Sequence, residues 1–401
     1  MNQKLRALFV MNGVTYGASG RPGVSGGDVI MVEIAKRWVQ SGVKVSFLTS
    51  TAGRELCGKL GLKNVNYRIS SSFCNGSIVS QLFLVLKMAI LNVKFLSSTK
   101  FDVVCSSCEH LYDVLPALKL RKNGVKWAAT VHFVPPPPLE RRKTGMVSAF
   151  LYFLNHMVGA LIIRRYSDLI LAVSQRTALD YISKLRFDRN RIVTIPGGVN
   201  YNSIRAIASS IHEKVYDAVF MKRLHPMKGS FDLIKIWYHV TKVYPNAKLL
   251  IVGEGMQDTV IHMREMIQKL KLTKNIKMIG PVYDFKEKIS LLAKSKLFLL
   301  PSYEENWAIV IGEALVVGLP VVAYDLSEIR QIWGEYVLWV TKGDVKSFAE
   351  EVVKLLSNEK YYQMHISKGT DFMKKFDWNA IAEKELKLCI KLIEKYTVRD
   401  K

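Results

Sequence analysis

Short apolar runs alternate with segments of helical periodicity along this chain of 401 residues. The run at 296–301 (KLFLLP) is typical, because it is apolar at consecutive positions, is stopped by proline and is followed by apolar residues at helical spacing. A strand buried on both faces needs such a run, and two parallel strands need a helix to connect them. The sequence therefore predicts an α/β protein with parallel sheets.

Length and apolar content predict more than one domain. At about 150 residues per domain, a chain of this length forms two or three domains, and an apolar content of 49% can build their cores. We expect a first domain at 1–200, a linker at 201–216 and a second domain at 217–375. The last segment, 376–401, is predicted to be a long helix.

Two glutamates lie eight residues apart after the strand predicted at 296–301. Glu305 lies near the start of a helix predicted from Trp307 to residue 317, and Glu313 lies about 12 Å further along its axis. This distance is comparable to the length of a nucleoside diphosphate sugar, and the loop amides between the carboxylates can receive a diphosphate. Spacing alone favours an ordinary surface helix with two solvated glutamates. The choice between this interpretation and a nucleotide-sugar site therefore depends on the neighbouring segments.

Two cations follow the strand predicted at 218–221. Arg223 and Lys228 flank a turn that contains Pro226 and Gly229, and they are well placed to neutralise a diphosphate. Two further strands, at 248–255 and 275–284, also end in glycine-containing loops. Glycine at a strand end would let a ligand approach the backbone closely.

The N-terminal half begins with a strand at 7–11, a glycine-rich loop at 12–27 and a helix at 28–41 that Asp28 is expected to cap. A further strand at 126–132 ends in His132, which four prolines follow at 135–138. A lone histidine after a strand is more often structural than catalytic. The residues alone leave both roles for His132 open.

In this order, residues 218–340 resemble the C-terminal half of the GT4 family of retaining glycosyltransferases, which have the GT-B fold. The family pattern of two glutamates separated by seven residues matches Glu305 and Glu313, and its phosphate-binding pair matches Arg223 and Lys228. The resemblance implies that Glu305 contacts the donor sugar, that Glu313 contacts the ribose, and that the two cations contact the diphosphate.

The same resemblance implies two Rossmann-like domains that face each other across a cleft. The first would bind the acceptor and the second the nucleotide sugar, and helix 376–401 would cross back to the first. Gly26 and Gly27 resemble paired glycines that lie near the donor phosphates and the acceptor in the family. A family histidine near the reacting sugar matches His132, which makes His132 and Glu305 the catalytic candidates.

The sequence departs from the family pattern at the donor loop. Asn306, Trp307 and Ala308 replace the usual Gly-Phe-Gly, and Lys222 stands where the family usually has glycine. We expect the first change to alter the loop amides and to crowd the sugar site. The departures leave the identity of the donor open.

The resemblance implies transfer of a hexose or an N-acetylhexosamine, with retention, to a glycan or lipid-linked acceptor. No Asp-x-Asp motif occurs, so Arg223, Lys228 and helix-end amides are expected to stabilise the leaving diphosphate without a metal or cofactor. Two alternatives remain: a GT-B sugar-nucleotide epimerase, and a nonenzymatic basic binder of membrane or nucleic acid on the same fold.

Positive charge is concentrated in the first half of the chain. The net charge is +24 overall, +17 in residues 1–200 and +7 in the remainder. A one-sided basic surface suits an anionic membrane, although a generally basic proteome would give the same charge. Nucleic acid is not an expected partner, because aromatic and basic residues are not interleaved.

An uncharged segment of 18 residues, 146–163, lies between basic residues at 141–143 and 164–165. It is long enough to cross a bilayer, but the strands on either side should share one sheet. We therefore expect a membrane-lying or buried helix, with residues 79–96 as a companion. Since the N-terminus has no signal-peptide pattern, the expected location is cytoplasmic, peripheral on the inner face of the membrane and bound through residues 141–165.

Overall fold

The structure is a computed structural model that describes residues 5–17, 20–70, 78–90, 100–140, 145–366 and 368–397. The chain divides into two compact units. The first contains Met1–Tyr16, Pro22–Gly197 and Trp378–Lys401, and the second contains Gly17–Arg21 and Gly198–Asp377.

The first unit is built on a seven-stranded sheet in the order β3-β2-β1-β4-β5-β6-β7, and all its pairings are parallel. The strands are β1 Arg6–Met11, β2 Lys44–Thr49, β3 Asn66–Ile69, β4 Val103–Ser106, β5 Lys126–Val131, β6 Leu169–Ala172 and β7 Ile192–Thr194. The helices are α1 Gly26–Gln40, α2 Thr51–Lys59, α3 Ile78–Ile90, α4 Leu111–Lys122, α5 Met146–Tyr166 and α6 Gln175–Leu185.

The second unit is built on a six-stranded parallel sheet in the order β10-β9-β8-β11-β12-β13. The strands are β8 Tyr216–Met221, β9 Leu249–Val252, β10 Ile276–Ile279, β11 Ser295–Leu300, β12 Val321–Tyr324 and β13 Leu338–Val340. The helices are α7 Tyr201–Ser209, α8 Ser230–Val243, α9 Gln257–Lys269, α10 Phe285–Ala293, α11 Ile309–Val317, α12 Ser327–Trp333, α13 Val345–Ser357, α14 Glu359–Ile366 and α15 Lys368–Phe372.

Each sheet has one point at which the strand order reverses. In the first unit the reversal lies between β1 and β4, and in the second it lies between β8 and β11. Connections leave such a point in opposite directions, which opens a crevice at the carboxyl ends of the two central strands. The prediction of parallel α/β sheets is confirmed, and these two crevices are where ligands bind in such sheets.

The segment expected to be a linker, 201–216, was assigned wrongly. Tyr201–Ser209 is a helix of the second unit that packs on α10 and α11, and Ile204 is fully buried. The division between the units falls between Gly197 and Gly198 instead. The short apolar periodicity of this helix becomes informative only once its partner helices are known.

Two predicted helix starts were also wrong. Helix α1 begins at Gly26, because Ser25 caps it by accepting a hydrogen bond from the amide of Asp28, and the carboxylate of Asp28 accepts one from the amide of Ser25 to complete a capping box. The donor-loop helix begins at Ile309, because Ala308 has a left-handed backbone with φ of 55°.

The final helix, α16 Trp378–Thr397, belongs to the first unit and packs on α1. The indole of Trp38 donates a hydrogen bond of 3.2 Å to the carbonyl of Ala382. Glu385, on the same helix, is buried, and burial raises its pKa to about 8. The carboxyl group is therefore protonated when the helix is docked at neutral pH.

Glu385→Gln should flatten the dependence of stability on pH. Because the folded pKa lies above the unfolded value of about 4.3, the wild type binds an extra proton when folded and loses stability as the pH rises. The loss should be on the order of 3 kcal/mol between pH 4 and pH 7. Urea unfolding at several pH values measures it, and parallel curves for the two proteins would contradict the assignment.

Candidate functional site

The carboxyl ends of β8 and β11 bring together residues that lie far apart in the sequence. Lys222 and Arg223 follow β8, and Glu305 lies in the loop after β11. Lys222 Nζ donates a hydrogen bond of 2.9 Å to Glu305 Oε2, across 83 positions of sequence. The contact lies at the reversal point of the second sheet, where α/β sheets bind ligands.

Glu305 is a buried carboxylate held by two lysines. Only 6% of the residue is exposed, and Lys228 Nζ lies 3.3 Å from its second oxygen, Oε1. Burial alone would raise the pKa of Glu305, but the charges of Lys222 and Lys228 outweigh it and lower the pKa to about 2. Glu305 is therefore ionised throughout the physiological range.

A tight turn fixes the position of Lys228. Its Nζ donates a hydrogen bond of 2.6 Å to the carbonyl of Glu304, and Gly229 follows with φ of 72°. A Cβ atom on Gly229 would lie 1.8 Å from the carbonyl oxygen of Pro301, so the two loops touch at this glycine. Arg223 is exposed beside them. The predicted diphosphate-binding pair thus lies on the same loop as Lys222.

Glu313, the second glutamate of the predicted pair, is also buried. It lies in α11, is 5% exposed and accepts a hydrogen bond from Lys288 Nζ on α10. The expected separation of Glu305 and Glu313 along one helix axis was wrong, because the helix begins at Ile309 and Glu305 lies in the loop before it.

The donor loop is anchored by Trp307, whose side chain is buried. Its ring packs against Trp333 and Phe376 at centroid distances of 5.2 and 5.0 Å, and its carbonyl accepts a hydrogen bond from the Trp333 indole. The structure therefore contradicts the expectation that this ring crowds a sugar site. Ala308 is buried, and Asn306 remains half-buried in the loop.

Two glycines after β9 have a different role from the expected one. A Cβ atom on Gly253 would lie 1.9 Å from the carbonyl oxygen of Lys222, and one on Gly255 would lie 2.3 Å from that of Leu224. The glycines allow the loop after β8 to approach closely. They support the site by packing, whereas the sequence suggested direct approach of a ligand.

His132, in the first unit, lies directly after β5 and is held in one orientation. Its ring Nε2 lies 2.8 Å from the carbonyl oxygen of Ser107, and because a carbonyl only accepts, Nε2 carries the proton. Its backbone amide donates to Glu109, whose carboxylate also accepts a hydrogen bond of 2.6 Å from Tyr181. The ring is thereby fixed from the loop that follows β4.

Glu109 is fully buried among these groups. Burial alone would raise its pKa, but the imidazoles of His156 and His132 outweigh it and lower the pKa. Asp113 joins the loops after β1 and β4, because it accepts hydrogen bonds from the amide of Asn12 at 2.8 Å and from Ser107 at 2.6 Å. Burial raises the pKa of Asp113 to about 6.

The paired glycines lie in the first turn of α1, where backbone amides lack partners within the helix. A Cβ atom on Gly27 would lie 3.1 Å from the His132 ring, whereas one on Gly26 would meet no atom within 4 Å. The structure brings Gly27 and His132 together in the first unit. Arg223, Lys228, Glu305 and Glu313 belong to the second unit.

Sequence reasoning assigned no role to several of the residues that hold these groups. Glu109, Ser107 and Asp113 lie near the carboxyl end of β4, and Lys288 lies in α10. The position of a polar residue after a buried strand could have suggested the first three. Nothing in the sequence suggests Lys288. Among the described residues, no three His, Cys, Asp or Glu side chains lie together so that they could hold a metal ion.

Helix α5 has one buried and one exposed apolar face. Its exposed side chains recur every three or four residues, and the buried side is formed largely by small residues and His156. The exposed stripe consists of Val147, Phe150, Leu154, Val158 and Leu161. The helix is long and apolar enough to cross a membrane, and 28% of its most apolar stretch is buried.

The neighbours of α5 in the fold show where its exposed apolar stripe lies. It connects β5 to β6, which are paired neighbours in one sheet, and it packs on α4. Helix α3 packs on α4 too, and it exposes Leu82, Phe83 and Leu86. The basic residues at 141–143, and residues 91–96 of the expected companion segment, lie outside the described residues.

Two family descriptions match most of the chain. Residues 24–203 match "Glycosyltransferase Family 4", and residues 205–372 match "Glycosyl transferases group 1". The chain belongs to the GT4 family of glycosyltransferases.

Curated relatives are similar over part of their length. An uncharacterised glycosyltransferase of Methanocaldococcus jannaschii is 26% identical over 262 residues, which cover 61% of this chain and 60% of that protein. The phosphatidyl-myo-inositol mannosyltransferase of Mycobacterium leprae is 27% identical over 202 residues, covering 49% and 52%. The chain thus spans about half of the length of the curated relatives it matches.

Solved structures share the fold over nearly the whole chain. Anabaena HepE in complex with UDP-glucose is 17% identical, with a TM-score of 0.73 and coverage of 96% of this chain and 100% of that chain. Sucrose-phosphate synthase of Thermosynechococcus elongatus is 14% identical, with a TM-score of 0.74 and coverage of 98% and 100%. The expected GT-B fold is therefore confirmed.

Gly229→Ala should destabilise the second unit by more than about 2 kcal/mol, because it combines left-handed strain with a clash against Pro301. The apparent urea midpoint measures the effect. Gly58→Ala is the matched control, since a Cβ atom at that helical glycine would meet no atom within 4 Å. Equal midpoints for the two variants would show that the contact between the loops is not tight.

Proposed function

We propose that this protein is a retaining, metal-independent glycosyltransferase. It transfers a hexose or an N-acetylhexosamine from a nucleoside diphosphate sugar to a glycan or lipid-linked acceptor at a membrane surface. The observation that carries the proposal is the buried Glu305 beside Lys222 and Lys228 at the reversal point of the second sheet. A buried anion among cations that exceed its charge suits a site that receives a second anion.

The proposed donor site would bind the diphosphate through charge and the sugars through hydrogen bonds. Arg223 offers a planar fork of donors and Lys228 a point charge, and both suit the diphosphate. Glu305 would accept a hydrogen bond from a sugar hydroxyl, and Glu313 would accept one from the ribose. The cations would stabilise the charge that develops on the leaving diphosphate, so the proposal requires no metal.

Similar structures support a sugar donor of this class. Anabaena HepE was solved with UDP-glucose, and a pneumococcal O-GlcNAc transferase was solved with UDP and GlcNAc. The mannosyltransferase relatives, named for phosphatidyl-myo-inositol, support a lipid-linked acceptor. Retention would follow the front-face substitution expected for the family, in which acceptor and leaving group share one side of the sugar.

His132 is the proposed catalytic residue of the first unit. Its Nε2 proton is committed to the carbonyl of Ser107, so in the neutral ring Nδ1 remains an acceptor. Nδ1 would accept a hydrogen bond from a hydroxyl of the reacting sugar or of the acceptor. Gly26 and Gly27 would present the amides of the first turn of α1 to a phosphate or to the acceptor.

The exposed faces of α3 and α5 are the proposed membrane-binding surface. Val147 is 69% exposed and Phe83 is 65% exposed, values that are costly for apolar side chains in water. Arg164 and Arg165 end α5, and the surrounding half of the chain carries a net charge of +17. An apolar stripe bordered by arginines suits an anionic lipid surface, and it agrees with a cytoplasmic enzyme peripheral on the inner face of the membrane.

The donor site is tested by calorimetric titration with UDP, GDP, ADP and CDP. We expect one diphosphate to bind, and Arg223→Ala or Glu313→Ala to weaken it at least about tenfold. Arg223→Ala should leave binding of the bare nucleoside unchanged, because that cation serves the phosphates.

Arg264→Ala is the matched control for this titration, since Arg264 is an exposed arginine of the same unit. Absence of binding for all four nucleotides would overturn the proposal in favour of a nonenzymatic binder. Conversion of the bound nucleotide sugar into its epimer, without any acceptor, would indicate the epimerase instead.

The membrane surface is tested by sedimentation with vesicles. Binding to vesicles that contain phosphatidylglycerol should exceed binding to phosphatidylcholine alone, and it should weaken as the salt concentration is raised. Removal of each arginine should reduce the binding free energy by about 1 kcal/mol. Phe150→Ser with Leu154→Ser should abolish it. Ile261→Ser, at an exposed apolar residue of the second unit, is the control. Unchanged sedimentation of the double variant would show that this surface does not bind the membrane. If the wild-type protein instead forms a dimer that the double variant does not form, the partner of this surface is a second copy of the chain.

A further inference from the structure

The buried carboxylates of Glu305 and Glu313 share one pattern of contacts. One oxygen of each accepts a hydrogen bond from a lysine: Glu305 Oε2 from Lys222 at 2.9 Å, and Glu313 Oε1 from Lys288. The other oxygen of each is buried: Glu305 Oε1 lies 3.3 Å from the ammonium of Lys228, and Glu313 Oε2 has no hydrogen-bond donor within the described part of the chain. A buried carboxylate oxygen without a donor is rare, and it indicates a partner that binds there.

The lysines are themselves largely buried. The side chain of Lys222 is 15% exposed and that of Lys288 is 22% exposed. Burying a lysine and a glutamate costs more free energy than an ordinary surface ion pair contributes. Stabilisation of the fold is therefore a weak explanation for the presence of either pair. Lys222 moreover occupies a position where the GT4 family usually has glycine.

We propose that Lys222 and Lys288 are positioning residues of the donor site. Each holds one oxygen of a carboxylate so that the other accepts a hydrogen bond from a donor hydroxyl, of the sugar at Glu305 and of the ribose at Glu313. This inference rests on the proposed function and extends it to two residues that lie outside the family pattern.

Charge supports the role of Lys222. Burial lowers the pKa of Lys222, and the nearby charges of Lys228 and Arg223 lower it further. The carboxylate of Glu305 raises it. Three cations and one carboxylate leave two positive charges. These match the two negative charges of the diphosphate in a nucleotide sugar. With glycine in place of Lys222, only one positive charge would remain.

The two lysines should affect different parts of one ligand. Lys288→Met should reduce the preference for the ribonucleoside diphosphate over its 2′,3′-dideoxy form, from about tenfold or more to near unity. Lys222→Met should leave that preference unchanged. The Lys222→Met variant should instead lose the additional affinity that the sugar gives to the nucleoside diphosphate. The same variant should hydrolyse the donor more slowly, by a similar factor.

Calorimetry with the ribonucleoside diphosphate, its 2′,3′-dideoxy form and the nucleotide sugar, together with a donor-hydrolysis assay, provides the measurements. Lys286→Met is the control, since Lys286 is exposed on the same helix as Lys288. Arginine at either position keeps the charge and should restore the selectivity. If a methionine variant fails to fold, glutamine replaces it and should show the same loss at reduced size.

The pH dependence separates positioning from a structural role. Wild-type sugar affinity should be constant above about pH 4, because the lysines keep Glu305 ionised. Without Lys222, burial of Glu305 is less well compensated, so an acid limb should appear between about pH 4 and pH 7.

Three results distinguish the possibilities. If the wild type binds no nucleoside diphosphate, the proposed function fails. If it binds, and the methionine variants keep both selectivities, the positioning role fails while the function stands. If each variant weakens every ligand form equally, the lysines are structural and the inference is overturned.

Discussion

Parallel pairing of β8 with β11 is the constraint on which the candidate donor site depends. The two strands meet with Ala218 opposite Leu297 and Val219 opposite Phe298, so their carboxyl ends lie at the same edge of the sheet. The loops that follow are pressed together where Gly229 meets Pro301. A change of register would separate Lys222 from Glu305, because one residue of slip turns every side chain to the other face.

Burial of charge gives this edge its chemical character. Glu305 lies among cations in a setting with little water, where charges interact more strongly than at a surface. In the proposed function this arrangement is preorganised for an anion, because the donors are in place before a ligand arrives. The aromatic packing of Trp307 and the glycines after β9 serve the same end, since they fix the two loops that carry the charges.

In the first unit, one helix contributes to two different features. The outer face of α5 carries the apolar stripe, while a Cβ atom on Gly159 at its inner face would lie 1.7 Å from the carbonyl oxygen of Glu109. Glu109 in turn holds the amide of His132. The exposed surface and the orientation of the histidine are therefore joined through a single close contact between a helix and a loop.

Local patterns in the sequence were sufficient for the parallel α/β class and for the bounds of β1, β5, β8 and β11 to within two residues. Together with the family resemblance they singled out Arg223, Lys228, Glu305 and Glu313 as candidate residues. Buried parallel strands leave a direct signature of continuous apolar runs, and the candidate residues follow those runs. The same local view failed for residues 201–216 and for Trp307, whose burial depends on distant helices. It gave no indication that Lys222 and Lys288 would each hold a carboxylate.

The sequence by itself determined the order of strands and helices and the polar residues at strand ends, because these depend on periodicity and on residues close in the chain. Only the tertiary structure decided which oxygen of each glutamate is held, which way His132 points and which face of α5 is left exposed. These depend on contacts between segments separated by tens of residues, and the geometry of such contacts is set by the packing of the whole unit.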